Sequence, residues 1–414
     1  MNSELFFILQ IVIYGLIIFG VLELIFYLWI KSVRKEFQWL ITSKDEKPIL
    51  SKEGLEKFIP NGYDSEIGWI RKPNTSGKEV GKFKETVWNI NEKGSRRNLE
   101  FDTMNSKISC YGDSFTFCRQ VNNNQTWEYE LSKILKTNVQ NFGVGNYGID
   151  QSLLRLKRNL PKNNTPIVIM GVVPDTISRI MSCWKHYYEY GNTFAFKPRF
   201  ILKDNQLHLV PNFIDDESKF QNYTSYLKNI QKYDFFYLEK FRKEKLSFPY
   251  VFSVFKNPNR NFTILKWMRI IKKKKKNNQD YSDIEWLPMK KIMEINLSWR
   301  LKLFKNNSAT KLLEKIIEDF VFYCKSNNVI PVFVFLPQKD DLLFIKSNYN
   351  FLSDFLQRIK KIEKLKIIDV TSVLLKEENI DEMYSDENEY GGHYSHLGNK
   401  KIAEIFSKEL SDIL

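Results

Sequence analysis

The first pattern along the chain is an apolar run, LFFILQIVIYGLIIFGVLELIFYLWI, Leu5 to Ile30, broken only by Gln10 and Glu23. As a helix it would measure about 39 Å, more than a ~30 Å hydrocarbon core requires. No polar stripe marks a face kept in water, which weakens the reading as a buried core helix. The basic start, shorter apolar run and small-residue cleavage site of a secretory signal are missing. The run predicts an N-terminal membrane anchor over residues 1–36, with Glu23 near the interface and the span shifted toward the N-terminus.

After the anchor the pattern changes twice. Residues 37–105 carry turn punctuation (PNG, KPNTSG, NEKG) around short β-prone pieces such as ETVWNI, and read as a strand-and-loop lead-in. From residue 106 short apolar runs alternate with helical ones. KISCY, NVQNFGV, PIVIMGVV, VIPVFVFLP and LKIIDV are each unbroken enough to be strands covered on both faces. TWEYELSKIL predicts a helix with Thr126 as N-cap and Trp127, Leu131, Ile134 and Leu135 on one face. ATKLLEKIIEDFVFYCKSN predicts another, with Leu313, Ile316, Ile317, Phe320 and Cys324 inward. This alternation implies an α/β domain over 106–414, built on a doubly wound, mostly parallel sheet. An aromatic, basic stretch at about 199–305, including KKKKK at 272–276, interrupts the rhythm. It reads as an insertion packed over one end of the sheet.

Composition adds little to this picture. Lys and Arg number 63 against 49 Asp and Glu, a net charge of +14 that favours anionic partners such as lipid headgroups, nucleic acid or acidic glycans. Asn, Lys, Ile and Phe are abundant throughout, so the charge carries little weight. The aromatics of the insertion read as core or a hydrophobic lid, not a base-stacking platform, and no nucleic-acid partner is expected. The lysine run reads as solvated, with contact to anionic lipid as the functional alternative. Lys31, Arg34 and Lys35 follow the span while only Glu4 and the terminal amine precede it. The charge bias therefore puts the C-terminal side in the cytoplasm, with the periplasm as the alternative. Four scattered cysteines without a C-x-x-C fit reduced thiols and argue against a zinc knuckle or a disulfide framework. No nucleotide or zinc-protease motif occurs, and no cofactor or metal is expected.

The chemistry-bearing residues lie at the two ends of the α/β region. KISCY leads straight into Gly112-Asp113-Ser114-Phe115, at the carboxyl edge where such sheets place their sites. A serine entering a helix has backbone N–H groups nearby to hold an oxyanion. It also needs a base. The chain has four histidines, two of which, His393 and His396, stand in YGGHYSHLGNKKIAEIF before the last amphipathic helix. Asp113 reads as a turn residue, His396 as a loop or supporting residue, and Asp150 and Gln151 as a helix start.

Taken in order, YGDSFTFCRQVNNNQTW, NFGVGNYGIDQSLLR and GGHYSHLGNKKIAE resemble successive blocks of the GDSL-type (SGNH) serine hydrolases. GWIRKPNTSG and KPRFIL resemble the version in bacterial membrane-anchored members. The resemblance covers most of residues 60–410 outside the insertion. It implies a flavodoxin-like hydrolase fold and an acyl-ester substrate, lipid or acylated glycan, attacked by Ser114 with His393 as general base. In the second block Asn146 stands at the oxyanion glycine's position, with Gly145 before it. In the third block Pro174 and Asp175 replace the usual asparagine donor. The family acid sits three residues before the histidine, where this chain has Tyr390. Glu389 and Asp386 are the substitutes, or the site is a Ser-His dyad. Hydrolysis would make the protein an esterase, and transfer to a sugar hydroxyl an O-acyltransferase. The contrasting reading is a membrane-tethered binding module that kept the fold without activity.

Overall fold

A computed structural model describes residues 3–80, 85–163, 165–386, 388 and 390–414. Five parallel strands form its largest sheet: β1 (Ser106–Gly112), β2 (Asn138–Asn141), β3 (Ile167–Val172), β4 (Ile330–Phe335) and β5 (Lys366–Ile368). Their spatial order is β2-β1-β3-β4-β5. That is the doubly wound order of flavodoxin-like folds, whose ligand crevice lies beyond the carboxyl ends of the strands where the order reverses. Here the reversal lies between β1 and β3, which pair in register from Ile108 with Ile167 to Gly112 with Gly171. Each of the five strands grew from one of the apolar runs. β3 is buried at every position, as a central strand covered on both faces requires.

The helices follow their predicted faces with one exception. Helix Asn307–Ser326 buries Leu313, Ile316, Ile317, Phe320 and Cys324. Helix Trp127–Leu135 starts at Thr126, whose hydroxyl accepts the N–H of Tyr129 at 3.1 Å. It buries Trp127 and Leu131 against the sheet core, and the Trp127 indole meets Phe406 of the last helix edge-on at 4.9 Å. Ile134, in its last turn, is exposed.

The chain divides into two compact units. The sheet belongs to the unit made of Ser51–Lys185, Phe194–Tyr233 and Leu297–Leu414. The lead-in from Ser51 onward is part of it, and its hairpin pairs Ser76–Val80 with Glu85–Asn89. The other unit comprises Met1–Leu50, His186–Thr193 and Asp234–Asn296. The stretch expected as one insertion at 199–305 is therefore split. Its hairpin, Arg199–Lys203 with Gln206–Val210, stays with the sheet unit. Residues 234–296 instead build an interior of their own. Leu246, Val254, Ile264, Leu265, Met268, Ile271 and Ile292 close over Ile30, Val33 and Leu40. The helix Ser3–Arg34 is the one helix among the described residues long and apolar enough to cross a membrane.

Candidate active site

Ser114 opens a single helical turn, Ser114–Phe117, directly after β1. Asp113 caps that turn by accepting the N–H of Phe115 at 2.8 Å, so its part is structural, as the sequence suggests. The turn can sit against the sheet because Gly112 has no side chain: a Cβ there would lie 1.8 Å from the carbonyl oxygen of Gly171. Thr116 Oγ1 donates to that same carbonyl at 2.6 Å. The turn's outgoing carbonyls are taken by Arg96, a buried side chain. It donates to Phe117 O, Cys118 O and Val121 O, each at 2.6 Å. A cation at the end of a helical turn complements its negative pole.

The chain then passes through Cys118 and Gln120, both with positive φ, which turns Gln120 back toward the last block. There Gln120 Oε1 receives the backbone N–H of His393 at 3.0 Å, His393 Nδ1 at 2.8 Å and Ser385 Oγ at 2.9 Å. A backbone N–H can only donate, so the atom facing it is the amide oxygen. The ring nitrogen facing the same oxygen must then carry its proton. The tautomer is fixed in this way: Nδ1 is protonated and Nε2 holds the free lone pair. The imidazole also packs on Phe115, next to Ser114, with centroids 4.9 Å apart. Ser114 Oγ and His393 Nε2 have no hydrogen-bond partner among the described residues. Burial, with the nearby charges of Arg119 and Arg179, holds the imidazole well below its ordinary pKa.

Gln120 takes the position expected of a carboxylate. Asp386 accepts the N–H of Asn388 at 3.4 Å and has no bond to the imidazole. Its loop is turned by the left-handed pair Gly391 and Gly392, and a Cβ on Gly392 would lie 2.7 Å from Gln120 Oε1. That close approach gives the imidazole's flank to Gln120. Glu389, the other substitute, lies outside the described residues. Gln120 is held by the lead-in hairpin: its N–H donates to Glu79 Oε2 at 3.1 Å, and Arg119 Nε reaches both Glu79 oxygens at 3.0 Å.

The expected oxyanion donors divide. Asn146 has φ 68°, the left-handed conformation its side chain tolerates, and Gly145 O accepts Trp69 Nε1 at 2.9 Å. The backbone N–H groups of Ser114, Gly145 and Asn146 have no acceptor among the described residues. Asp175 is no donor. Its carboxylate lies 3.1 Å from Arg179 Nε and 3.5 Å from Arg300 Nε. Arg179 also reaches Asp113 Oδ2 at 3.2 Å and Tyr147 O at 3.0 Å, tying the first three motif blocks together. Arg300 continues the network to Asp340 at 3.2 Å and to Asp341. Burial outweighs Arg300 at Asp341 and pushes its pKa up to about 7.

The remaining candidates have local roles. His396 Nε2 lies 3.0 Å from Glu130 Oε1, and the described residues hold no cluster of metal-ligating side chains. Asp150 pairs with Lys197, and Gln151 Nε2 donates to Ile67 O at 2.8 Å. All four cysteines are buried. Gln120, Arg179 and Arg300 went unnoticed in the sequence. Arg179 alone left a trace, four residues after Asp175 on a helical turn.

No protein-family model matches the chain, and no curated protein matches it in sequence. Among solved structures, it aligns with a lipase/acylhydrolase from Enterococcus faecalis at 10% identity and TM-score 0.36, covering 74% of this chain and 96% of the other. A candidate lipolytic protein of the G-D-S-L family from Desulfitobacterium hafniense aligns at 14% identity and TM-score 0.34, covering 74% and 100%. A family 3 carbohydrate esterase from Clostridium thermocellum aligns at 13% and 0.32, covering 74% and 96%. The structural likeness is to GDSL-type lipolytic proteins and esterases, at low identity.

Proposed function

We propose that the protein is a serine esterase of the SGNH type, anchored in a membrane by the helix Ser3–Arg34. His393 Nε2 takes the proton of Ser114 Oγ as that oxygen attacks the ester carbonyl. The tetrahedral oxyanion forms against the N–H groups of Ser114 and Asn146. His393 then returns the proton to the departing alcohol, leaving an acyl-serine, and activates the water that hydrolyses it. Gln120 keeps Nδ1 protonated and the ring in place, which an amide oxygen does as well as a carboxylate. It supplies no full negative charge to steady the imidazolium.

The observation that carries this reading is the shared acceptor at Gln120 Oε1. It fixes the tautomer that leaves Nε2 a base, on a ring that packs against Phe115, the residue after Ser114. The test is hydrolysis of p-nitrophenyl acetate by the full chain. Ser114→Ala and His393→Ala should each remove most of the turnover while leaving the thermal melt in place. Full activity in either variant would refute the assignment.

A further inference from the structure

The apolar helix changes character at Glu23. From Glu4 to Leu22 its residues are exposed, with Phe19 half-buried. From Glu23 onward one face is covered: Glu23, Ile30 and Val33 are buried, and Phe26 and Trp29 partly so. That spacing is one stripe of a helix. Glu23, only 8% exposed, is a carboxylate inside an apolar run, where an unsatisfied charge is expensive. Its oxygens accept the N–H groups of Tyr250 and of Val251, the latter at 2.9 Å. These are the first two donors of helix Tyr250–Lys256, which has no side-chain cap of its own.

Glu23 thereby fixes that short helix beside the anchor. Ser253 and Val254 face inward, while Phe252 is 62% and Phe255 56% exposed, and Phe248 just before them is 74% exposed. The exposed rings are continuous with the bare helix. Phe252 lies 5.7 Å from Phe19, Tyr250 5.6 Å from Tyr27 and Phe255 6.3 Å from Phe26. Leu22, Leu24, Ile25 and Leu28 of the anchor are exposed at the same level. Moving a phenylalanine side chain from water into an apolar phase is favourable, so three exposed rings on one short segment favour an apolar neighbour strongly. Lys31, whose ammonium lies 5.6 Å from the Tyr27 ring, and Lys256, next in sequence to Phe255, are also exposed.

We propose that Ser247–Lys256 is a second membrane-contacting element. Phe248, Phe252 and Phe255 enter the boundary between acyl chains and headgroups of the bilayer that the anchor crosses, and Lys31 and Lys256 meet lipid phosphates. The inference rests on the reading of Ser3–Arg34 as a membrane anchor. Lys272, the first of the lysine run, reaches the same turn as Lys31: its Nζ donates to Ser32 Oγ at 2.6 Å and lies 3.4 Å from Glu36.

The test uses the full chain with one added cysteine at a time, because the four native thiols are buried. Ile13→Cys, Phe252→Cys and Phe322→Cys carry an environment-sensitive fluorophore in phosphatidylcholine–phosphatidylglycerol vesicles. All three positions are exposed, and Phe322 lies on the sheet unit's helix Asn307–Ser326. Lipids with a nitroxide deep in the acyl chain should quench the label at Ile13. Lipids with a shallow nitroxide should quench the label at Phe252 several-fold more than the one at Phe322. Quenching at Ile13 with Phe252 no different from Phe322 overturns the inference and leaves the anchor standing. Loss of quenching at Ile13 overturns the anchor, and the inference with it.

Discussion

His393 Nδ1 lies 2.8 Å from the side-chain oxygen of Gln120, a neutral amide in the position where the sequence resemblance led us to expect a carboxylate. A carboxylate would raise the imidazole's basicity. Here burial and two arginines lower it, and among the described residues nothing charged bonds to Nδ1 to offset them.

The pH profile should show this. The proposed base works only when neutral, so activity should fall as pH drops through the His393 pKa. With that pKa well below its ordinary value, the acid limb of kcat/KM should lie below about pH 6.5. Gln120→Glu puts a negative charge at Nδ1 and should move the limb upward. Gln120→Ala, which frees the tautomer, should lower kcat at least ~10-fold with little change in KM. Identical limbs in wild type and Gln120→Glu would remove Gln120 from the account.

Glu128 gives a stability prediction independent of catalysis. Burial raises its carboxyl from 4.5 to about 8, and its Oε2 is 3.3 Å from the Cys118 thiol. Between those two values the folded state binds more protons than the unfolded one, so this group makes stability fall as pH rises. Glu128→Gln keeps the shape and removes the titration. Thermal melts at about pH 5 and about pH 8 should show the variant gaining on wild type at the higher pH. Parallel curves would contradict the buried, protonated carboxyl.

Arg300 joins Asp175, Asp340 and Asp341 inside the sheet unit. Removing one partner of a buried ion pair costs about 3–5 kcal/mol, because the remaining charges stay buried. Arg300→Met should therefore lower the urea midpoint substantially, and adding Asp341→Asn should recover part of the loss. If the double variant is no more stable than the single one, the guanidinium is not balancing Asp341.

The contrast between these residues shows what a single sequence can convey. Strands such as IVIMGV declare themselves because burial on both faces demands an unbroken apolar run. Thr126 and the apolar stripe of Asn307–Ser326 are equally local signals. Ser114 and His393 are legible as motif residues. The partner of His393 is not, because Gln120 comes from the first block and reaches a histidine 273 positions later through two left-handed residues. The residues near His393 in sequence offered Glu389 and Asp386 as acids; Glu389 lies outside the described residues, and Asp386 accepts the N–H of Asn388. The division of the 199–305 stretch was hidden for a related reason. Residues 234–296 bury their apolar side chains against Ile30, Val33 and Leu40, more than two hundred positions away.

The most direct test of the central claim is the site of covalent capture by a fluorophosphonate, which reacts with a serine only when a neighbouring base activates it. Peptide mass mapping of the treated full chain should place one adduct on Ser114, absent from Ser114→Ala and strongly reduced in His393→Ala. No adduct on Ser114, or an undiminished one in His393→Ala, would contradict the account.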